Sequence, residues 1–464
     1  MKRAAIASLV ALLGCSGGHA ADHGPATAPK PVPSAAPPEG PDTASKAETN
    51  TAKREGREAK LIAKMLREVS HIRGLEATRV VPGVVLPRDA LIARVKDHVA
   101  KEIPPEAIRR EGLAMQILGF LPTTFDYAAE MFALLEQQLA GFYEPADGTM
   151  YMAGDLDTEN AEATLAHELV HALQDQHWDL KQRSKYRPGQ SDRQSALACL
   201  AEGDATSAMA DIVVSHMDPN KNALDLPEKL FVEQVLGSVS TGPSAKSPHI
   251  MRTSLVSPYV DGTLFVHALR RKGGWAMVDR AWAELPATTE QILHVEKWIA
   301  HEPALEVSAP TFASLGAGWT LSDEDTYGEQ GLRLSLEEWM KVEDAQKAAQ
   351  DWGGDRGGLF ASGEKTAFAL HVRFDASPDA RGDAFAARAY TSVASALQKK
   401  IGTAALKDAA FTCVERPKLG PLLVARKGRD FAITAGPALT TGGWWSQATC
   451  VDAKKWATEI LGNR

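Results

Sequence analysis

The segment HELVHALQDQH, residues 167–177, constrains this chain more than any other feature of its sequence. On an α-helix, at about 100° per residue, His167 and His171 lie about 40° apart around the axis and one turn apart along it. Two imidazoles placed in this way can bind the same metal ion. Glu168 is offset by about 100°, so it flanks such an ion without binding it, as a general base must. The segment therefore predicts a metal-binding helix with a carboxylate beside the ion.

A carboxylate in this position has a specific chemical use. A bound zinc ion lowers the pKa of water from about 15.7 toward about 7, so a nearby carboxylate can accept its proton at neutral pH. The alternative is an ordinary helix with surface histidines. That alternative leaves Glu168 among four apolar neighbours, where an unpaired buried carboxylate would strongly destabilise the fold. These neighbours are Leu165, Leu169, Val170 and Leu173. We therefore favour the metal-binding interpretation.

The third metal ligand has two candidates. His177 fits the spacing H-E-x-x-H-x-x-G-x-x-H of a metzincin-like site, except that Gln174 occupies the glycine position. On an unbroken helix His177 is rotated about 240° from His171, away from the metal. Glycine would allow the sharp turn that brings it back, whereas Gln174 is a good helix former. The rival candidate is Glu202, which would complete a His₂Glu set.

Glu202 lies on a second predicted helix, whose start is marked by a capping box of Ser191 and Gln194. It stands about three turns after this cap, in the apolar stretch ACLAEGDA, where a solvated glutamate is not expected. We therefore expect Glu202 to be the third ligand. Cys199, one turn earlier on the same face, could offer a thiolate, but a small buried residue is the simpler interpretation.

Two aspartates lie close to these ligands in the sequence. Asp175 falls one turn after His171 and could accept that histidine's free N–H, although a solvated aspartate is equally consistent with the sequence. Asp204 lies about 200° from Glu202 on a regular helix, so we expect it to point away from the ion.

The set of His167, His171 and Glu202 with Glu168 resembles the gluzincin clan of zinc peptidases, of which thermolysin is the familiar member. More closely, the chain resembles a group of predicted bacterial metallopeptidases with H-E-L-x-H-A-L-x-D-Q followed by E-G-D-A, over about 140–300. The resemblance implies three zinc ligands, His167, His171 and Glu202, and Glu168 as the base. The gap between His171 and Glu202 is longer than in thermolysin-like enzymes, so the connecting loop differs from theirs.

Hydrolysis of a peptide bond also needs a group that stabilises the oxyanion, and in this clan a distal Tyr or His commonly serves. Two stretches resemble recurring motifs of the bacterial group. They are SPYVDGTLFV, with Tyr259, and ATTEQILHVEKW, with His294. We predict both residues as catalytic candidates. The alternative for each is packing or a surface hydrogen bond.

The predicted fold class is α+β. A mostly helical metallopeptidase core, residues 53–345, should carry a small mixed sheet beside the motif helix, with a hairpin around Asp147-Gly148. Beyond DWGGDRGGLF the sequence favours strands again, which predicts a small C-terminal α+β module over 346–464. Cys413 and Cys450 both fall in this module, and an exported protein permits a disulfide between them.

The amino terminus, MKRAAIASLVALLGC, is typical of a bacterial export signal. LLGC resembles the lipobox of lipoproteins, which predicts a signal peptide over 1–14, a lipidated Cys15 and an Ala/Pro-rich tether over 15–52. The alternative is an ordinary signal peptide cut nearby. We expect an exported protein of the cell envelope, at the outer membrane or the periplasmic face, attached to a membrane only through this lipid.

The formal net charge of −8 argues against nucleic acid as a standing partner. The expected cofactor is Zn²⁺, and the expected partner is a protein or peptide substrate. An alternative from another class is a lipoprotein that binds a partner through a catalytically inactive metallopeptidase-like fold. The complete H-E-x-x-H with Glu202 argues against it, because loss of activity usually removes a ligand or the base.

Overall fold

A computed structural model of the chain describes residues 59–155, 158–240 and 243–462. The predicted signal peptide, Cys15 and the tether lie outside the described residues. The chain forms many helices together with one sheet of three strands and one of seven. The predicted α+β class is confirmed.

The small sheet and its helices form the first part of the described chain. In chain order the elements are α1 (59–73), β1 (Gly83–Leu86), α2 (Arg88–Glu102), α3 (Pro105–Leu118), α4 (Tyr127–Gln138), β2 (Gly141–Glu144) and β3 (Thr149–Ala153). Strand β3 lies in the centre, parallel to β1 and antiparallel to β2, so the sheet is mixed as predicted. The β2–β3 hairpin turns at Gly148, whose φ of 71° lies in the left-handed region that glycine tolerates.

The helices that follow carry the HELVHALQDQH motif and its neighbours. They are α5 (Thr158–Trp178), α6 (Leu180–Arg183), α7 (Ser191–Met217), α8 (Glu228–Ser240), α9 (His249–Ala283), α10 (Thr289–Leu293) and α11 (Val295–Ile299). Helices α7 and α9 pack backbone against backbone, because a Cβ at Gly203 would lie 2.1 Å from the Gly262 carbonyl oxygen. A Cβ at Gly262 would likewise lie 1.9 Å from the Cys199 carbonyl oxygen. Any larger residue at either glycine would push α9 away from the helix that carries Glu202.

The large sheet has the strand order β4-β5-β6-β10-β9-β8-β7, with every neighbouring pair antiparallel. Its strands are β4 (Thr320–Asp325), β5 (Trp352–Ser362), β6 (Lys365–Phe374), β7 (Leu406–Lys407), β8 (Phe411–Val414), β9 (Leu422–Lys427) and β10 (Asp430–Leu439). Its helices are α12 (Gly328–Leu336), α13 (Val342–Ala349), α14 (Ala384–Lys400) and α15 (Cys450–Gly462). The predicted disulfide between Cys413 and Cys450 is present and joins β8 to the start of α15.

The large sheet begins before the boundary predicted at 345/346. Strand β4, with the sequence TLSDED, is polar and lacks apolar alternation, so the sequence gives no strand signal there. Ile117 of α3 belongs to the same apolar cluster as Phe368 and Leu370 of β6. The sheet therefore packs on helices of the first half and shares their core.

None of the helices within the described ranges combines the length and the apolar composition that crossing a lipid bilayer requires.

Candidate metal site

Helices α5 and α7 bring His167, His171 and Glu202, hereafter the ligand trio, to one point. The Nε2 atom of His167 lies 3.0 Å from Glu202 Oε2 and 3.1 Å from His171 Nε2. His171 Nε2 lies 3.6 Å from the same Glu202 oxygen. The three side chains are at most 1% exposed. Three atoms with metal-binding lone pairs thus meet in the protein interior.

These spacings suit a single small cation. A tetrahedral zinc ion binds imidazole nitrogen and carboxylate oxygen at about 2.0–2.2 Å, so its ligand atoms stand about 3.3 Å apart. The second oxygen of Glu202, Oε1, is buried and has no hydrogen-bond partner among the described residues. Burial of such an atom is costly unless another group compensates it. The donor set and its spacing therefore fit a zinc ion.

Glu168 lies beside the trio, fully buried, and is fixed at one oxygen only. Its Oε2 accepts a hydrogen bond of 2.9 Å from the backbone N–H of Tyr143 in β2. Its Oε1 is buried with no hydrogen-bond partner in the described structure. The small sheet thus holds the carboxylate in place and leaves one oxygen available.

Burial and the neighbouring charges shift the pKa values of the ionisable groups at the site. Burial raises the pKa of the Glu168 carboxyl above its usual range, although His171 and His167 partly oppose this. Burial also acts to raise the pKa of Glu202, but the two histidines outweigh it and the net shift is downward. For His171, burial lowers the pKa, yet Glu202 outweighs burial and raises it to about 9. A bound cation could supply the charge that a proton on His171 otherwise carries.

The hydrogen-bond support of His171 comes from Gln174 and not from Asp175. His171 Nδ1 lies 2.8 Å from Gln174 Oε1, and Gln174 Nε2 donates to Ala201 O at 3.0 Å and to Asp204 Oδ2 at 3.2 Å. Asp204 does not contact the ligand trio directly, in agreement with its predicted direction. The suggestion that Asp175 accepts the His171 N–H is wrong, because Gln174 Oε1 occupies that position and Asp175 faces the small sheet instead.

Asp175 instead ties α5 to the small sheet. Its Oδ2 accepts from the Tyr143 hydroxyl at 2.9 Å and from Arg79 at 2.5 Å, and its Oδ1 accepts from the Lys181 N–H at 3.0 Å. Tyr143 therefore binds α5 at two points that are two turns apart. Its hydroxyl donates to Asp175 and its backbone N–H donates to Glu168. This arrangement fixes the orientation of the Glu168 carboxylate.

His177 and Cys199 do not join the trio. Helix α5 continues unbroken through Trp178, as Gln174 predicts, and His177 Nε2 is 2.8 Å from the Glu76 carbonyl oxygen at the surface. This geometry tells against a metzincin-like site. Cys199 is a buried free cysteine whose sulfur accepts from Gln330 Nε2 at 3.4 Å, and burial raises its thiol pKa strongly.

The two candidates for oxyanion stabilisation lie in different surroundings. The Tyr259 ring stacks on His167 at a centroid distance of 5.9 Å, because the close packing of α7 and α9 brings it there. His294 Nε2 binds the Glu329 carboxylate at 2.9 Å. Within the described part of the chain no hydrogen bond joins His294 to the trio. The structure thus places Tyr259, and not His294, in contact with a trio residue.

A second group of ligand-type side chains exists in the described residues. We call it the acidic cluster; it comprises Glu290, Glu302 and Asp375. Lys297 Nζ lies at its centre, 2.7 Å from Glu290, 2.7 Å from Glu302 and 2.6 Å from Asp375. The ammonium group already supplies the cation that these carboxylates require.

Sequence reasoning missed Gln174, Asp204 and Arg73 as parts of the site. Arg73 in α1 is buried, and its Nε lies 2.5 Å from Asp204 Oδ1. The available signal was the i, i+3 spacing of His171 and Gln174, which places both on one helix face. No local pattern could have identified Arg73, because it lies 131 residues before Asp204.

Comparison with known proteins adds one match. A family model described as a domain of unknown function (DUF8575) matches residues 319–443, which covers the large sheet from β4 to β10 and none of the trio. No curated protein and no solved structure matches the chain.

Proposed function

We propose that this protein is a zinc-dependent peptidase that hydrolyses peptide bonds in protein or peptide substrates. The observation that carries the proposal is the convergence of His167, His171 and Glu202 with Glu168 beside them. Two histidines and one carboxylate are a ligand set of catalytic zinc sites, in which a fourth position stays open. Structural zinc sites usually have four protein ligands, so a set of three favours catalysis.

We propose zinc because the donor atoms suit it and form a known catalytic zinc ligand set. Imidazole nitrogen suits Zn, Cu, Fe and Ni, whereas Mg²⁺ and Ca²⁺ take oxygen ligands. A zinc ion supplies Lewis acidity, which lowers the pKa of water toward about 7. Glu202 and the two histidines would hold the ion from two different helices. Their positions depend on the packing of α7 against both α5 and α9.

Glu168 is the proposed general base. The Tyr143 N–H holds Oε2, which leaves Oε1 as the oxygen that accepts a proton. A carboxyl pKa that burial raises is closer to neutrality, which suits a group that must accept a proton and then release it. Tyr259 is the proposed donor to the oxyanion because its ring lies against His167. We regard His294 as the weaker candidate, since Glu329 binds it.

The proposed location rests on the sequence. The export signal and LLGC at residues 12–15 support a lipoprotein of the bacterial cell envelope, anchored through Cys15. A peptidase in that position would meet exported proteins and peptides.

The test is the substitution Glu168→Gln, which keeps the shape of the side chain and removes its ability to accept a proton. The purified protein is incubated with an unbiased peptide mixture, with and without a chelator, and the products are identified by mass spectrometry. We expect the wild type to cleave peptides and the chelator to stop this cleavage. Glu168→Gln should cleave at least about 100-fold more slowly, because general-base catalysis typically contributes that much. Its zinc content should equal that of the wild type.

Glu162→Gln is the matched control, because Glu162 lies on the same helix about 140° around the axis from His167. This variant should cleave like the wild type. Cleavage by Glu168→Gln at the wild-type rate would refute the proposed mechanism. A wild type that binds zinc but cleaves no peptide would favour the inactive partner-binding alternative.

A further inference from the structure

We infer that Gln174, Asp204 and Arg73 form a positioning relay that prepares His171 to bind the metal. The inference rests on the proposed function, because it assumes that the trio binds zinc. None of the three residues touches the point where the trio meets. They act through His171, and each is 0% exposed. The relay connects three helices, α5, α7 and α1.

The first step of the relay is the orientation of the Gln174 amide. Its nitrogen faces two acceptors, Ala201 O at 3.0 Å and Asp204 Oδ2 at 3.2 Å. A rotated amide would point its oxygen at both of these acceptors and would lose both hydrogen bonds. The amide oxygen must therefore face His171 Nδ1, 2.8 Å away.

The second step is the tautomer of His171. An amide oxygen only accepts hydrogen bonds, so Nδ1 of His171 must carry the proton. In the neutral imidazole the lone pair then resides on Nε2, which is the atom that faces His167 and Glu202. The opposite tautomer would place a proton where the metal must bind. Gln174 thus selects the tautomer that can act as a ligand.

The third step is the anchoring of Asp204. Trp282 Nε1 donates to Asp204 Oδ2 at 2.9 Å, and Arg73 donates to Oδ1 at 2.5 Å and to Oδ2 at 3.3 Å. These contacts fix the carboxylate opposite the Gln174 amide. A neutral or mobile group in its place would no longer determine the orientation of the amide.

Arg73 is itself buried and held by two tryptophan rings and a second carboxylate. Its guanidinium carbon lies 4.5 Å from the centre of the Trp275 ring and 5.7 Å from that of Trp178, and its NH2 group binds Asp279 at 2.7 Å. A buried guanidinium with two carboxylate partners and two aromatic faces has little freedom to move. Helix α1, which directly precedes the small sheet, therefore contributes to the metal site from a distance.

The experiment measures zinc affinity by competition with a chromophoric chelator, so it does not depend on activity. Gln174→Met keeps the length of the side chain and removes the amide. We expect roughly 10- to 100-fold weaker zinc binding, as is typical when an outer partner of a ligating histidine is lost. Gln176→Met, the same change two residues along the same helix, should bind zinc like the wild type, because the Gln176 amide forms hydrogen bonds with Thr78 and Arg79 and, among the described residues, none with the trio.

A double variant separates the relay from a general structural effect. Asp204→Asn alone should also weaken zinc binding, but Asp204→Asn combined with Gln174→Met should stay within about threefold of Gln174→Met, because Asp204 acts through the amide. If Asp204→Asn does not fold, Trp282→Phe replaces it in the cycle, since it removes one donor to the same carboxylate. The cobalt-substituted protein gives a second readout, because its visible spectrum should change in Gln174→Met.

Each result has a clear meaning. Wild-type zinc affinity in Gln174→Met, or losses that multiply fully in the double variant, would overturn the relay while leaving the metal site intact. A wild-type protein that binds no zinc would overturn the proposed function itself, and the relay with it.

Discussion

The ligand trio and the acidic cluster each bring three ligand atoms within 4.8 Å of one another, yet they differ in what balances their charge. In the acidic cluster the ammonium of Lys297 touches all three carboxylates and is partly exposed to solvent. In the trio the side chains are buried, and no lysine or arginine forms an ion pair with Glu202 among the described residues.

The source of the positive charge distinguishes a metal-binding site from a structural ion-pair network. A cluster that contains its own cation is complete and gains nothing from a metal. A buried set of two imidazoles and a carboxylate has lone pairs that converge on one point, and its charge balance depends on a proton or a metal ion.

The largest expected effect is on zinc binding after removal of a carboxylate from each group. Glu202→Ala should weaken zinc binding by more than about 100-fold, beyond the loss typical of an outer partner. Glu302→Ala should leave zinc binding unchanged, because Lys297 already neutralises its cluster. Zinc content after dialysis, measured by mass spectrometry of the metal, checks both variants. Equal zinc loss in Glu202→Ala and Glu302→Ala would contradict the proposed difference between the ligand trio and the acidic cluster.

The second prediction compares the two oxyanion candidates. Tyr259→Phe should lower kcat by about 100-fold with zinc content unchanged, as expected for the loss of one oxyanion donor. His294→Gln should change kcat far less, because His294 binds Glu329 and no residue of the trio. Steady-state kinetics on a peptide identified from the mixture decides between them. A large loss in His294→Gln alone would reverse the assignment.

The third prediction concerns the internal cation of the acidic cluster. Lys297→Met should lower the free energy of unfolding by about 2 kcal/mol, less than the loss for a fully buried pair because Lys297, Glu302 and Asp375 are partly exposed. Calcium should restore part of this stability in the variant and not in the wild type, since three carboxylates without the ammonium can bind a hard cation. Denaturant unfolding with and without calcium measures the effect. If Lys297→Met is as stable as the wild type, the Lys297 ammonium does not stabilise the fold by neutralising the three carboxylates of the acidic cluster.

The smallest expected effect depends on pH. The hydrogen bond to Glu329 raises the pKa of His294, so this histidine stabilises the fold fully below its unfolded pKa of about 6.5. The contribution disappears as the pH rises through the higher pKa of the folded state. His294→Gln should therefore cost about 0.5 kcal/mol at pH 5.5 and nothing at pH 9. Unfolding curves at the two pH values test the sign, and a larger loss at pH 9 would contradict it.

Local sequence patterns predicted the elements that carry the site. Helical spacing placed His167 and His171 on one face, Gln174 kept α5 unbroken, and the apolar surroundings of Glu202 indicated that it is buried. The β2–β3 hairpin followed from the turn residues Asp147 and Gly148. These features depend on contacts within a few turns of helix or strand, which a single sequence records.

The sequence could not predict contacts between distant elements. Asp204 was correctly expected to face away from the trio, but its partner Arg73 belongs to another helix far along the chain. Strand β4 was missed because a polar edge strand is defined by its pairing with β5 and not by its own pattern. The assignment of Asp175 failed because two positions, i+3 and i+4, share a helix face and only the packing chooses between them.

The most direct test of the central claim is X-ray diffraction from crystals of the protein grown with one equivalent of zinc, recorded on both sides of the zinc absorption edge. We predict a single anomalous peak between His167 Nε2, His171 Nε2 and Glu202 Oε2, with none in the acidic cluster. A crystal whose zinc peak lies elsewhere, with no density between these three side chains, would contradict the account.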